Sequence, residues 1–135
     1  MSETEKNNTT IVWPTLRYRD AVKAISFLID AFGFQQTALH RSGEEGSIAH
    51  AELRWPGGGG IMLGSVRGDS SIAELQPGCG SIYIVTDQPD RIYESALKAG
   101  ATVVREIREE EYGSRGFTVR DPEGVHWSFG TYAGS

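Results

Sequence analysis

The feature that most constrains this chain is that its sequence repeats itself. An apolar run, Ile11 to Tyr18, leads to Asp20, a residue suited to capping a helix, and AVKAISFLIDAFGF follows. Val22, Ile25, Ile29 and Phe32 recur there at helical spacing, and Gly33 stands where a left-handed C-terminal residue is wanted. Later, SIYIVTD runs into Asp87, Pro89 sits near the next helix start, and DRIYESALKAG closes at Gly100. Ile92, Tyr93, Ala96 and Leu97 form the expected buried face of that second helix. Asp20 and Asp87 lie 67 residues apart, and so do Gly33 and Gly100. The second halves agree too: Pro56 and Pro122, Gly58 and Gly124, Gly64 and Gly130 are each 66 apart. The turns they mark precede the strands GGIMLG and VHWSFG. Several matches in one order define a repeated unit.

An amphipathic helix cannot bury itself, so each helix must cover one face of its own small sheet and leave the other face free. The expected class is therefore α+β: two βαβββ modules in tandem, mixed curved sheets around a shared cavity, and helices on the outer faces. The modules are expected at 11–66 and 78–133, after a flexible tail at 1–10. That tail is polar and lacks the basic start and apolar stretch of a secretory signal, which predicts a cytoplasmic protein. No apolar run approaches the roughly 18 residues of a membrane-spanning helix. A net charge of −5 without a basic stripe argues against nucleic acid as partner. Cys79 is the single cysteine, which excludes an internal disulfide and a multi-cysteine metal site; its glycine neighbours suggest a turn. The acidic run Glu109, Glu110, Glu111 reads as a solvated strand end or loop.

The alternation of each strand sorts its side chains into two faces. Ala49, Ala51, Leu53 and Trp55 read as helix-covered, as do Val125, Trp127 and Phe129. The opposite, cavity-facing set is Ile11, Trp13 and Thr15; Ile48, His50 and Glu52; Met62; Ser81, Tyr83 and Val85; and His126, Ser128 and Tyr132. Such a lining suits a flat or aromatic ligand stacked on Trp13 or Tyr83, with Met62 adapting to irregular shapes. Arg54 is expected near the rim, and Phe34 and Trp55 suit either the core or a subunit contact. Gly57 to Gly60 precede a strand and not a helix carrying Lys-Ser or Lys-Thr, so they make a hairpin turn and no phosphate loop. No Gly-x-Ser-x-Gly nucleophile motif is present. His50 beside Glu52 is the one pair that could serve as a base with an orienting carboxylate.

The strand ending in Asp20 and the helix ending in Phe32-Gly33-Phe34 resemble the opening of a vicinal oxygen chelate module. His50-Ala-Glu-Leu-Arg54 with Ile61-Met-Leu-Gly64, and the ending Asp121-Pro-Glu-Gly-Val-His-Trp-Ser-Phe-Gly130, are similar to the glyoxalase/bleomycin resistance/extradiol dioxygenase superfamily. The likeness runs from about Thr10 to Tyr132. Enzymes of that superfamily hold a divalent metal with four strand residues, usually His, Gln or Glu. The matching positions here are Trp13, Met62, Ser81 and Ser128, none a favoured ligand of magnesium, manganese, iron or zinc. The resemblance therefore implies a metal-free, cofactor-free binding protein of the bleomycin-resistance type that sequesters an aromatic or largely apolar antibiotic or metabolite. It also implies a homodimer, possibly module-swapped. The alternative is a metal-dependent lyase, isomerase or dioxygenase whose displaced ligands would be His50, Glu52 and His126. The expected ligand-binding set is Trp13, Thr15, His50, Glu52, Met62, Ser81, Tyr83, His126, Ser128 and Tyr132, with no catalytic and no metal residue.

Overall fold

The computed structural model describes residues 12–66, 76–111 and 113–134; the expected tail and Ile11 lie outside them. The elements are β1 (Thr15–Tyr18), α1 (Ala21–Phe32), β2 (Gln35–Arg41), β3 (Ile48–Arg54), β4 (Gly60–Ser65), β5 (Ser81–Val85), α2 (Pro89–Lys98), β6 (Thr102–Glu109), β7 (Arg115–Arg120) and β8 (His126–Gly130). They form two four-stranded sheets of the same plan, ordered β1-β4-β3-β2 and β5-β8-β7-β6. In each, the first strand runs parallel to the last, and the other neighbours are antiparallel. Two mixed sheets with one helix apiece are what the repeat required. No helix among the described residues is long and apolar enough to cross a membrane.

The first helix begins as its sequence dictates. Asp20 accepts a hydrogen bond from the Lys23 amide at 3.0 Å, and Gly33 closes the helix at φ 92°, where a side chain would be strained. Its buried stripe is Ala21, Ala24, Ile25, Leu28, Ala31 and Phe32, with Phe27 beside it. Val22, expected in that stripe, is 40% exposed, because the small alanines take the line of closest approach. The second helix departs further. Gln88, not Asp87, holds the cap position and makes no side-chain cap bond. Thr86 Oγ1 accepts the Gln88 amide instead, at 3.1 Å. Ala96 is buried, whereas Leu97 is 44% exposed. Arg115 grips Asp90 in the first turn of α2 with two bonds of 2.7 and 2.8 Å, and these hold that exposed carboxyl below the usual range.

β3 carries one irregularity that the period of two could not reveal. His40 pairs with His50, but Arg41 pairs with Ile48, so Ala49 is an extra residue on β3. This bulge turns Ile48, expected to face the cavity, into the core, where it is 2% exposed, and leaves Ala49 in solvent.

The two sheets share one core through their helix-covered faces. Phe34 meets Trp127 at 5.7 Å, Trp55 meets Phe129 at 5.8 Å, and Phe32 meets both Trp127 and Phe129. Phe34 and Trp55 thus take the core role left open for them. Polar contacts lock the same junction. Asp121, 4% exposed, accepts hydrogen bonds from the Tyr18 hydroxyl, Trp127 Nε1 and the amides of Glu123 and Val125. Burial, and secondly the charge of Asp121, push the Tyr18 hydroxyl well above its ordinary value. Glu123 accepts the amides of Arg19 and Asp20 at 2.7 and 2.8 Å, so the closing turn of the second half grips the β1–α1 corner of the first.

Candidate ligand-binding site

Because the sheets meet through their covered faces, each presents its other face outward. The ten expected residues accordingly divide into two groups of five. Trp13, Thr15, His50, Glu52 and Met62 lie on the first sheet's open face, or beside it. Ser81, Tyr83, His126, Ser128 and Tyr132 lie on the second's.

On the first sheet, Thr15 pairs with Met62 and Met62 with Glu52, which sets the three in one row across β1, β4 and β3. His50 Nε2 lies 2.9 Å from Glu52 Oε2. The His50 ring also stacks on His40 of β2, with centroids 6.0 Å apart. Trp13 precedes β1, and the Arg54 guanidinium lies 4.7 Å from its ring centre. Gly60, which pairs with Arg54, makes room for that ring: a Cβ there would lie 2.9 Å from it. Arg17 reaches across Gly64 to the Ser65 carbonyl at 3.3 Å.

On the second sheet, Ser81 pairs with His126 and Tyr83 with Ser128. Ser128 shares a hydroxyl–hydroxyl bond of 2.7 Å with Thr118. Tyr83, 48% exposed, donates its hydroxyl to the Tyr132 carbonyl at 2.7 Å. Tyr132 lies past the end of β8, not on it. Tyr83, Thr118 and Ser128 line a trough of about 160 Å³ together with Arg105, Glu110 and the facing pair Gly116 and Gly130. Arg105, Glu110 and Thr118 were absent from the expected set. Thr118 could have been found by the period of two on RGFTVR; Arg105 could not, because register shifts in β6 scramble its faces. Glu110, read as solvated, is 16% exposed in its side chain and accepts from Arg105 at 2.7 Å and Arg108 at 3.1 Å.

A displaced metal site would need His50, Glu52 and His126 to converge. His126 stands on the other sheet, and among the described residues no three His, Cys, Asp or Glu side chains gather where an ion could be held. Cys79 is exposed and unbridged. A separate crevice of about 450 Å³ opens where the covered faces part, between Phe34, Trp55, the glycine hairpin and Ile82 to Val85.

This architecture has close counterparts. The model of the Glyoxalase/Bleomycin resistance protein/Dioxygenase superfamily matches residues 10–129, and the chain belongs to that superfamily. Among solved structures it is similar to TioX from Micromonospora sp. ML1: TM-score 0.73, 28% identity, covering 90% of this chain and 98% of that one. Glyoxalase I from Zea mays, as its E144Q mutant, shares the fold at TM-score 0.72 and 18% identity, with 98% of this chain spanning 49% of that one. An uncharacterized protein of Mycobacterium tuberculosis is 35% identical over 124 residues, which cover 87% of this chain and 71% of that protein.

Proposed function

We propose that the protein is a metal-free binding protein that sequesters an aromatic or largely apolar small molecule, of antibiotic or metabolite type, in the cytoplasm. One observation carries this reading: the four positions that would hold a metal are Trp13, Met62, Ser81 and Ser128. Trp13 is a stacking surface backed by Arg54, and Ser128 is engaged with Thr118. The reading includes a homodimer. Binding pockets enclose most of a ligand's surface, and one open sheet face covers only one side of a flat molecule. A second copy would bring the open face of its second module over the first module of its partner, as in a module-swapped pair, and would make two equivalent sites.

Titration calorimetry against glycopeptide, anthraquinone and enediyne-type compounds tests the proposal. The expected result is one ligand per chain, with Trp13→Ala weakening binding about fivefold to tenfold through the lost stack. Sedimentation equilibrium is expected to give a dimer. A catalytic reading rests on the His50–Glu52 pair, whose geometry suits a general base with an orienting carboxylate. Turnover of a substrate that is lost in His50→Ala and in Glu52→Gln, or stoichiometric metal in the purified protein lost in either variant, would decide for the enzyme.

A further inference from the structure

The repeat builds the junction between the two halves twice, but the side chains fill it only once. Strand pairing sets the correspondence: Thr15 lies beside Met62 and Tyr83 beside Ser128, so β1 matches β5 at 68 residues and β4 matches β8 at 66. The same offset puts Gln88 where the first helix has Asp20. At one end of the junction, the closing turn of the second half packs onto β1. There Asp121 accepts the Tyr18 hydroxyl and Trp127 Nε1, and Glu123 accepts the Arg19 and Asp20 amides. Leu16 and Val125 close over Gly80, where a Cβ would lie 3.6 and 3.8 Å from them.

At the other end, Tyr18 is answered by Thr86, Trp127 by Ile61, Glu123 by Gly57 and Val125 by Gly59, each of them smaller. Trp55, in the place of Asp121, is larger. The crevice of about 450 Å³ lies where these exchanges remove side chains, and Trp55, Gly57, Gly59 and Ile61 all line it. Gly58 and Gly59 stand at φ 118° and 76°, which disfavour a side chain, so that wall stays bare backbone.

The walls define what can enter. Charged residues make up 23% of the chain, yet no charged side chain lines this crevice. An ion placed there would lose hydration without gaining a partner. Phe34 and Trp55 meet edge to face at 5.4 Å and supply an aromatic wall, completed by Ile61, Ile82 and Ile84. Trp55 Nε1 stands beside Gly57 and makes no hydrogen bond among the described residues, so one donor is on offer. The volume falls within the roughly 300–1,000 Å³ of small-molecule pockets.

We infer that this crevice is a binding site of its own, complete within one chain, for an uncharged aromatic molecule whose oxygen accepts the Trp55 N–H. The ligand's ring takes the room that Tyr18 and Trp127 fill at the other end. This site lies apart from the open-face reading, and neither depends on the other.

Prodan, a neutral naphthalene ketone whose emission moves to the blue in apolar surroundings, tests it. Titrated into the full chain, it is expected to bind once per chain with that shift. Ile84→Trp fills the crevice and should weaken binding at least about tenfold. Gly57→Leu, at an exposed position without a positive φ, should do the same, and thermal melts verify folding of both variants. Trp55→Phe keeps a ring but removes the donor, and is expected to weaken Prodan about threefold to tenfold while leaving 2-ethylnaphthalene, which has no acceptor, unaffected. As competitors of Prodan, 2-acetylnaphthalene should exceed the charged 2-naphthoate at least about tenfold. No binding of Prodan, or equal competition by 2-naphthoate, overturns the assignment. So does binding that survives both Ile84→Trp and Gly57→Leu but is lost in Trp13→Ala, which would put the probe on the open face.

Discussion

A single buried carboxylate, Asp121, gathers four donors from both halves of the molecule. Such a group is tolerable inside only because its lone pairs are taken. Tyr18 supplies one of those donors and is itself fully buried. Tyr18→Phe is expected to cost about 1–3 kcal/mol, measured by urea unfolding near neutral pH. The same contact sets an alkaline limit. The hydroxyl is held above its ordinary value of 10.0, so the unfolded chain loses this proton before the folded one does. Its contribution is therefore complete below about pH 10 and declines as pH rises beyond, with a slope approaching 1.4 kcal/mol per pH unit. Urea midpoints collected up to about pH 11 should fall more steeply for the native protein than for Tyr18→Phe. Nothing local in DPEG announces this role, because the phenol it serves lies 103 residues earlier.

At the level of elements the repeat is real but unequal. Sixty-six residues before Asp121 and Glu123 stand Trp55 and Gly57, which cannot make the same contacts. Correspondingly, α1 is capped by Asp20 and has its entry gripped by Glu123, whereas α2 starts at Gln88 with no side-chain cap. Glu123→Gln is expected to lower stability by about 1 kcal/mol, because one amide oxygen cannot replace two charged acceptors. Hydrogen exchange should locate the loss at Arg19 and Asp20. Helix positions and turns were readable because Asp20, Gly33 and the Pro-Gly pairs act locally. Ile48 and Arg105 were misjudged or missed because bulges depend on the partner strand, and a residue's own neighbours carry no sign of them.

For the whole molecule, alternation tells which side chains share a face but not which faces meet. Alternation sets Trp13 and Tyr83 on the sides away from the helices, and the aromatic contacts among Phe32, Phe34, Trp55, Trp127 and Phe129 join the sheets by their backs. The open faces consequently look outward, and in the proposed dimer a complete open-face binding site belongs to the pair of chains and not to one of them.

That aromatic seam, with the grip of Glu123 on the opening corner, has a consequence for connectivity. Every contact named across it is non-covalent, and each joins a residue before the link between β4 and β5 to a residue after it. A gene cut in that link should still yield a working product. Residues 1–66 and 76–135, produced together as separate polypeptides, are expected to co-purify and to melt as one unit, whereas either alone would expose its aromatic back and aggregate.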